Sequence, residues 1–277
     1  MNILTACRIF AIAAALLAGP AYAAASTDAC PAADDAASSI ASLPHVAEAL
    51  QPGKKLAVLA VGSATMFGPE ASQGRGTLTS QVLGAAGPGP VGTPGQTFAQ
   101  QPSDQAFPLQ MAKQLRAMVP GADVQVVVRG GRGLLATEML ALLRKELATT
   151  HYDLVIWQTG TVEAVRNLPP SEFGQTLADG AEATQAAGAD LVLVDPQFSR
   201  FLQANSNLDP YLQALQQVAA MPGVVLFHRF DLMRGWANDG QIDLEHTARS
   251  DRQKAIETLH ACLGRSLARL VLASARS

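Results

Sequence analysis

Residues 55–68, KLAVLAVGSATMFG, constrain the fold more than any other stretch of the chain. The apolar run Leu56–Val61 is too short for a buried helix, ends in Gly62 and is followed at once by Ser63 and Thr65. It reads as a buried parallel strand opening into a tight turn. In an open α/β sheet, ligands bind outside the carboxyl ends of the strands. Ser63 and Thr65 are therefore the first hydroxyls the chain offers to a substrate.

Four further short apolar runs follow at regular intervals: Val124–Val128, Asp153–Trp157, Leu191–Val194 and Val224–Phe227. Helical patterns separate them, over residues 107–118, 134–148, 171–187 and 211–220, and a long one closes the chain from about residue 250 to 272. In the helix after the second strand, Leu135, Met139, Leu142 and Leu143 are expected to face inward. Strands alternating with helices predict an α/β fold, a doubly wound five-stranded parallel sheet with right-handed crossovers. No internal repeat is visible.

The first residues carry Arg8, an apolar run from Ile9 to Ala18, and then Ala21-Tyr22-Ala23, the small-x-small spacing of a signal-peptidase site. Residues 1–23 are expected to be a cleaved signal peptide, since ten apolar residues fall well short of the roughly 20 that a membrane-spanning helix needs. The mature protein is expected in the periplasm or outside the cell. Residues 24–52 form a lead-in with a short helix within residues 34–50, and residues 53–277 form one domain. Within it, residues 74–104 run through GAAGPGPVGTPGQ with little periodicity. Such a loop over the active edge of the sheet is either a lid or substrate wall, or a disordered insertion.

Cleavage after Ala23 removes Arg8 and takes the formal charge from −3 to −4; of the 3 cysteines it removes Cys7, leaving Cys30 and Cys262. An oxidising compartment favours a bridge between these two, tying the lead-in to the last helix, while two unpaired buried thiols is the competing arrangement. A mildly acidic chain without a basic cluster offers nucleic acid no electrostatic foothold. The histidines and cysteines lack metal-ligand spacing, so no metal or cofactor is expected.

Acyl transfer by a serine needs a base, an acid to orient the base, and donors for the oxyanion. His246 is the strongest base candidate, because Asp243 precedes it by three residues in Asp243-Leu244-Glu245-His246, within reach of the imidazole on a loop. An ordinary surface histidine beside acids is the alternative. Glu257 and His260 share the spacing but lie in a helical pattern, where such residues stack along one face. His228 trails a strand and reads as structural; His45 and His151 have no neighbours that suggest chemistry. Gly133, in Gly130-Gly131-Arg132-Gly133, is a candidate backbone donor, with close strand-to-helix packing as the alternative. Gly160 and Thr161 end the third strand at the same edge and are candidate pocket residues.

The order VGSATMFG, RGGRG, VIWQTGT, VLVDPQ and Asp243-x-x-His246, from residue 55 to 272, resembles the SGNH or GDSL hydrolase superfamily, above all bacterial members reading VIWQxGTN and DPQ. The resemblance implies a flavodoxin-like three-layer α/β/α sandwich, a catalytic serine after the first strand, and an oxyanion hole built from backbone N–H groups and an asparagine. Carried over, Ser63 is the nucleophile, Gly133 an oxyanion donor, Asp243 the orienting acid and His246 the base. Three positions depart from the family pattern. The family serine stands two places after the strand glycine, where this chain has Ala64; the asparagine after Gly-Thr is Val162; the asparagine heading the glycine-rich turn is Val128. Valine cannot donate a hydrogen bond, and losing one oxyanion donor typically costs about 2.7 to 4 kcal/mol of transition-state stabilisation.

Two functions are consistent with these residues. One is an exported serine ester hydrolase that removes an acyl group from a glycan or lipid. The other is a catalytically degenerate SGNH-fold protein, a pseudoenzyme that serves as a binding or accessory module in the cell envelope. A flavodoxin-like cofactor binder is disfavoured, because the glycine-rich segment lacks the spacing of a dinucleotide or phosphate loop. The acyl group and the oligomeric state leave no trace in the sequence.

Overall fold

The computed structural model describes residue 30, residues 41–69 and residues 102–277. The proposed signal segment 1–23, nearly all of the lead-in up to residue 40 and residues 74–101 of the long loop lie outside the described residues.

Five strands form one sheet: β1 Lys55–Gly62, β2 Asp123–Gly130, β3 Leu154–Gln158, β4 Asp190–Val194 and β5 Val224–Phe227. All neighbouring pairs are parallel, in the order β2-β1-β3-β4-β5. Every residue of β3, β4 and β5 is buried, as strands covered by helices on both faces require. The doubly wound parallel sheet expected from the alternating pattern is the one observed, in the three-layer α/β/α arrangement that the family resemblance implies. β1 pairs with β2 on one side and β3 on the other. The chain thus turns back at β1, and the crevice beyond the carboxyl ends of β1 and β3 is the topological switch point.

The helices, in chain order, are α1 Pro44–Ala49, α2 Phe107–Met118, α3 Ala136–Leu147, α4 Thr161–Arg166, α5 Pro170–Ala186, α6 Arg200–Asn205, α7 Asp209–Val218, α8 Arg229–Asn238 and α9 Arg252–Ser274. A 3₁₀ turn, Ala64–Phe67, follows β1. In α3 the buried face is Ala136, Met139, Leu140 and Leu143. Leu135 instead precedes the helix as its N-cap, and Leu142 is half-buried, so the helix begins two residues later than expected and its buried face is shifted from the one its apolar spacing suggests.

Two close approaches set the spacing of the layers. A Cβ on Gly180 in α5 would lie 2.2 Å from Trp157 Cζ3, so the helix rests directly on the indole of β3. A Cβ on Gly264 in α9 would lie 2.5 Å from Gln110 Cβ and 2.8 Å from the backbone of α2, so these helices cross almost backbone to backbone. At the same crossing His260 Nδ1 accepts the Phe107 N–H at 3.2 Å, closing an orphan donor at the start of α2. Burial and the nearby charge of Arg229 push the His260 imidazole down from 6.5 to about 4.

The end of the lead-in belongs to the folded body. Leu43 and Val46 are fully buried, Leu43 N–H donates to the Ser274 carbonyl at 2.9 Å, and Val46 N–H donates to Asp190 Oδ2 at 2.9 Å. Cys30 and Cys262 form a disulfide with a Cα separation of 5.2 Å, which resolves the choice between a bridge and two free thiols. No helix among the described residues is long and apolar enough to cross a membrane.

Candidate functional site

At the switch point, β1 and β3 stay in register to the pair Val61 and Trp157. One residue further, Gly62 meets Gln158 so closely that a Cβ on the glycine would lie 3.0 Å from Gln158 Cβ. On the other side, a Cβ on Gly130 would lie 1.8 Å from the Gly62 carbonyl oxygen. That oxygen accepts the Gly131 N–H at 3.1 Å. Glycines at 62 and 130 thus bring three chain segments together immediately below Ser63.

Ser63 is the N-cap of the 3₁₀ turn, yet its side chain makes no cap hydrogen bond. Its Oγ instead accepts from Gln158 Nε2 at 2.8 Å, and Gln158 Oε1 accepts the Thr65 hydroxyl at 2.7 Å. The two hydroxyl oxygens are 3.4 Å apart. Ser63 is half-buried, whereas Ala64 is 7% exposed, so the serine is the more accessible residue of the pair.

Behind Thr65 lies Arg229, the first residue of α8, only 1% exposed. Its Nε donates to the Asp195 carbonyl at 3.1 Å and its Nη1 to Thr65 Oγ1 at 3.5 Å, while Nη2 is buried without a hydrogen bond among the described residues. Asp195 directly follows β4, and its Oδ1 accepts the Phe230 N–H at 2.7 Å. Burial pushes its carboxyl up from 3.8 to about 7, against the pull of that N–H and of Arg229. Burial likewise lowers the Arg229 guanidinium to about 10, opposed by Asp195. His228 Nδ1 stands 3.9 Å from Asp195 Oδ2, too far for a hydrogen bond.

The second group of candidates lies between α8 and α9. His246 Nδ1 is 2.7 Å from Asp243 Oδ2, and the Asp243 Oδ1 accepts the His246 N–H at 3.2 Å and the Glu245 N–H at 3.1 Å. The loop therefore folds around its own carboxylate, as the three-residue spacing predicts. The imidazole is 73% exposed, leaving Nε2 open. Arg200 Nη1 donates to the same Asp243 Oδ2 at 2.9 Å. Burial raises the Asp243 carboxyl, but bonds from His246, Glu245 N–H and Arg200 outweigh it and hold it below 3.8. Glu245 docks this loop on α6: its oxygens accept the Ser199 hydroxyl at 2.8 Å and the Arg200 N–H at 3.1 Å. A small cleft beside Asp243 has Phe198, Met233, Ile242 and Leu259 in its walls.

No hydrogen bond joins Ser63 to His246; each holds its own partners. Gly133 is an exposed turn residue at φ 71° between β2 and α3. Gly160 is the left-handed N-cap of α4, and Thr161 and Val162 are the first two residues of that helix, both half-buried. The next residue, Glu163, is buried, and its Oε1 accepts the Ala136 N–H at 2.5 Å. Burial raises this carboxyl, opposed by the Ala136 N–H. Among the described residues no group of three or more His, Cys, Asp or Glu is placed to hold a metal. The glutamine at 158, the arginines at 200 and 229, and Glu245 all make contacts that motif reading overlooks. Gln158 alone left a signal, a carboxamide closing an otherwise apolar run.

The family whose model matches the chain is the non-GDSL lipase-like family, over residues 89–277. Among solved structures, the fold is similar to Axe2, an acetyl-xylooligosaccharide esterase from Geobacillus stearothermophilus, at TM-score 0.54 and 16% identity, with 80% of this chain and 96% of that one covered. It is also similar to a lipase/acylhydrolase from Enterococcus faecalis, at TM-score 0.51 and 14% identity, with 77% and 94% covered. At these identities the likeness is one of fold. None of the curated proteins compared matches the chain.

Proposed function

The chain belongs to the non-GDSL lipase-like family, in the SGNH/GDSL hydrolase superfamily, and on that premise we propose that it is a serine ester hydrolase working through Ser63, His246 and Asp243. The observation that carries this reading is the Asp243–His246 pair at 2.7 Å. A carboxylate on Nδ1 fixes the imidazole tautomer with a free lone pair on Nε2, the state a general base requires. In the reaction Ser63 Oγ bonds to the acyl carbon while its proton passes to His246 Nε2, and the imidazolium then protonates the departing alcohol. Water repeats the sequence to release the acid. The bond between Ser63 and His246 forms with substrate in place, since such contacts tighten in the substrate complex. Gly133, Gly160 and Thr161 are the oxyanion and pocket residues of this reading.

The substrate class is an acyl ester carried by a glycan or a lipid, in keeping with the lipase-like family and with a fold shared with an acetyl-xylooligosaccharide esterase. Export to the periplasm or beyond, after cleavage at Ala23, is part of the same proposal; the Cys30–Cys262 bridge supports it, because disulfides persist in oxidising compartments. A fluorophosphonate probe tests the reaction. Stoichiometric labelling that is lost in Ser63→Ala supports it.

One observation favours a second reading: Ser63 Oγ is held by Gln158 and Thr65, with Val162 where an oxyanion donor would stand. In that reading the chain is a pseudoenzyme that binds a polysaccharide or envelope partner. Inertness toward the probe and toward short-chain p-nitrophenyl esters, with the chain folded, selects it.

A further inference from the structure

Gln158 is the last residue of a strand whose other four members, Leu154 to Trp157, are apolar and buried, and it is itself only 3% exposed. A carboxamide placed there is costly unless both ends are paired. Both are, and both partners belong to the turn after β1: Ser63 on Nε2 and Thr65 on Oε1.

We propose that Gln158 is a positioning residue for the nucleophile, its carboxamide clamping Ser63 with the proton side of the hydroxyl left free. The proposal rests on the reading of Ser63 as the attacking group. The single Thr65 hydroxyl proton is committed to Gln158 Oε1, so in the 3.4 Å contact between the hydroxyls Ser63 is the donor. That bond is long, and the Ser63 proton is only loosely held. The lone-pair side of Oγ is fixed by the much shorter bond from Nε2. As the proton leaves for a base, negative charge grows on Oγ and the bond from Gln158 becomes charge-assisted, a class roughly twice as strong as neutral pairs. Arg229, buried behind Thr65 and reaching its Oγ1, adds a fixed positive charge one hydroxyl further back. Gln158 from β3 and Thr65 from the turn after β1 thus meet at one oxygen, with Arg229 from α8 one hydroxyl behind.

The experiment is the rate of fluorophosphonate labelling, in which the Oγ–P bond forms and fluoride departs, followed against pH for the full chain. In Gln158→Glu the carboxylate accepts the Ser63 proton instead of donating to Oγ. The wild-type rate should exceed the variant rate by about tenfold or more at alkaline pH, and the ratio should shrink as pH falls and the glutamic acid regains a proton to donate. Taking the ratio cancels the titration of the base. Thr65→Val releases the clamp without touching Ser63 or Gln158. It should label about tenfold more slowly, while Thr65→Ser restores the rate. A ratio independent of pH, the result expected if the carboxamide oxygen faced Ser63, overturns the proposal and leaves Ser63 as the nucleophile. So does a folded Thr65→Val chain that labels like wild type. Absence of labelling in the wild type overturns both.

Discussion

Arg200 and His246 share one oxygen: Asp243 Oδ2 accepts from the guanidinium at 2.9 Å and faces the imidazole Nδ1 at 2.7 Å. The carboxylate that would orient the base is thereby held from two sides, and Glu245 anchors the arrangement to the start of α6.

Asp243→Asn keeps the shape of this loop but lets the amide donate to Nδ1 and so selects the wrong tautomer. Ester hydrolysis should fall by about 10⁴, with the melting temperature nearly unchanged. Activity and thermal melts on one preparation check this.

Arg200→Gln tests the other side of the shared oxygen. The Arg200 side chain is 37% exposed, so its pairing with Asp243 is screened and its loss should cost under about 1 kcal/mol of stability. Hydrogen exchange at residues 243–247 should nonetheless speed up, because Glu245 and Asp243 lose a common partner. Unchanged exchange would mean that the backbone bonds to Asp243 hold the loop alone.

Val162→Asn supplies the donor that the family pattern has and this chain lacks. Hydrolysis of short-chain p-nitrophenyl esters should rise, by up to about a hundredfold if the amide reaches the oxyanion. No change would mean that the oxyanion is bound by other donors.

His260 makes stability sensitive to acid. Its imidazole titrates at 6.5 when exposed but at about 4 when folded, because it is buried and lies near Arg229. Between those values the unfolded chain binds a proton that the folded chain refuses, so this contribution is complete above 6.5 and is lost as pH falls toward 4. Protonation also removes the acceptor for Phe107 N–H. His260→Gln should flatten the acid side of the stability curve, measured as the wild-type minus variant difference in urea unfolding across that interval.

Gly264→Ala forces a methyl within 2.5 Å of Gln110 Cβ and 2.8 Å of the α2 backbone, which cannot step aside as a side-chain tip would. Overpacking should cost about 1–3 kcal/mol, visible as a melting temperature several degrees lower. Gly235→Ala in α8, where a Cβ meets nothing within 4 Å, is the matching control.

The sheet was legible because five short apolar runs carry their own signal, even in the edge strand β2, where only Val124, Val128 and Gly130 are buried, and the observed strands differ from the expected ones by a residue or two at their ends. Helix α8 was not: it begins at Arg229, one residue after β5, with no glycine or proline to mark the change, and its Phe230, Met233 and Trp236 are separated by charges. The Asp243–His246 contact was readable because three residues of loop bring the groups together locally. The bonds from Gln158 to Ser63 and from Arg229 to Thr65 join residues 95 and 164 positions apart. Only the register of β1 against β3 and the placement of α8 make such neighbours, and neither is written in a local pattern.

The bridge between Cys30 and Cys262 spans 232 positions and encloses all five strands in one covalent ring. During synthesis the first thiol waits through 232 positions before its partner exists, so closure follows the emergence of all five strands. Afterwards a protease that severs any single peptide bond inside the ring does not release a fragment. The nicked molecule travels as one band until a reductant is added, and then as two.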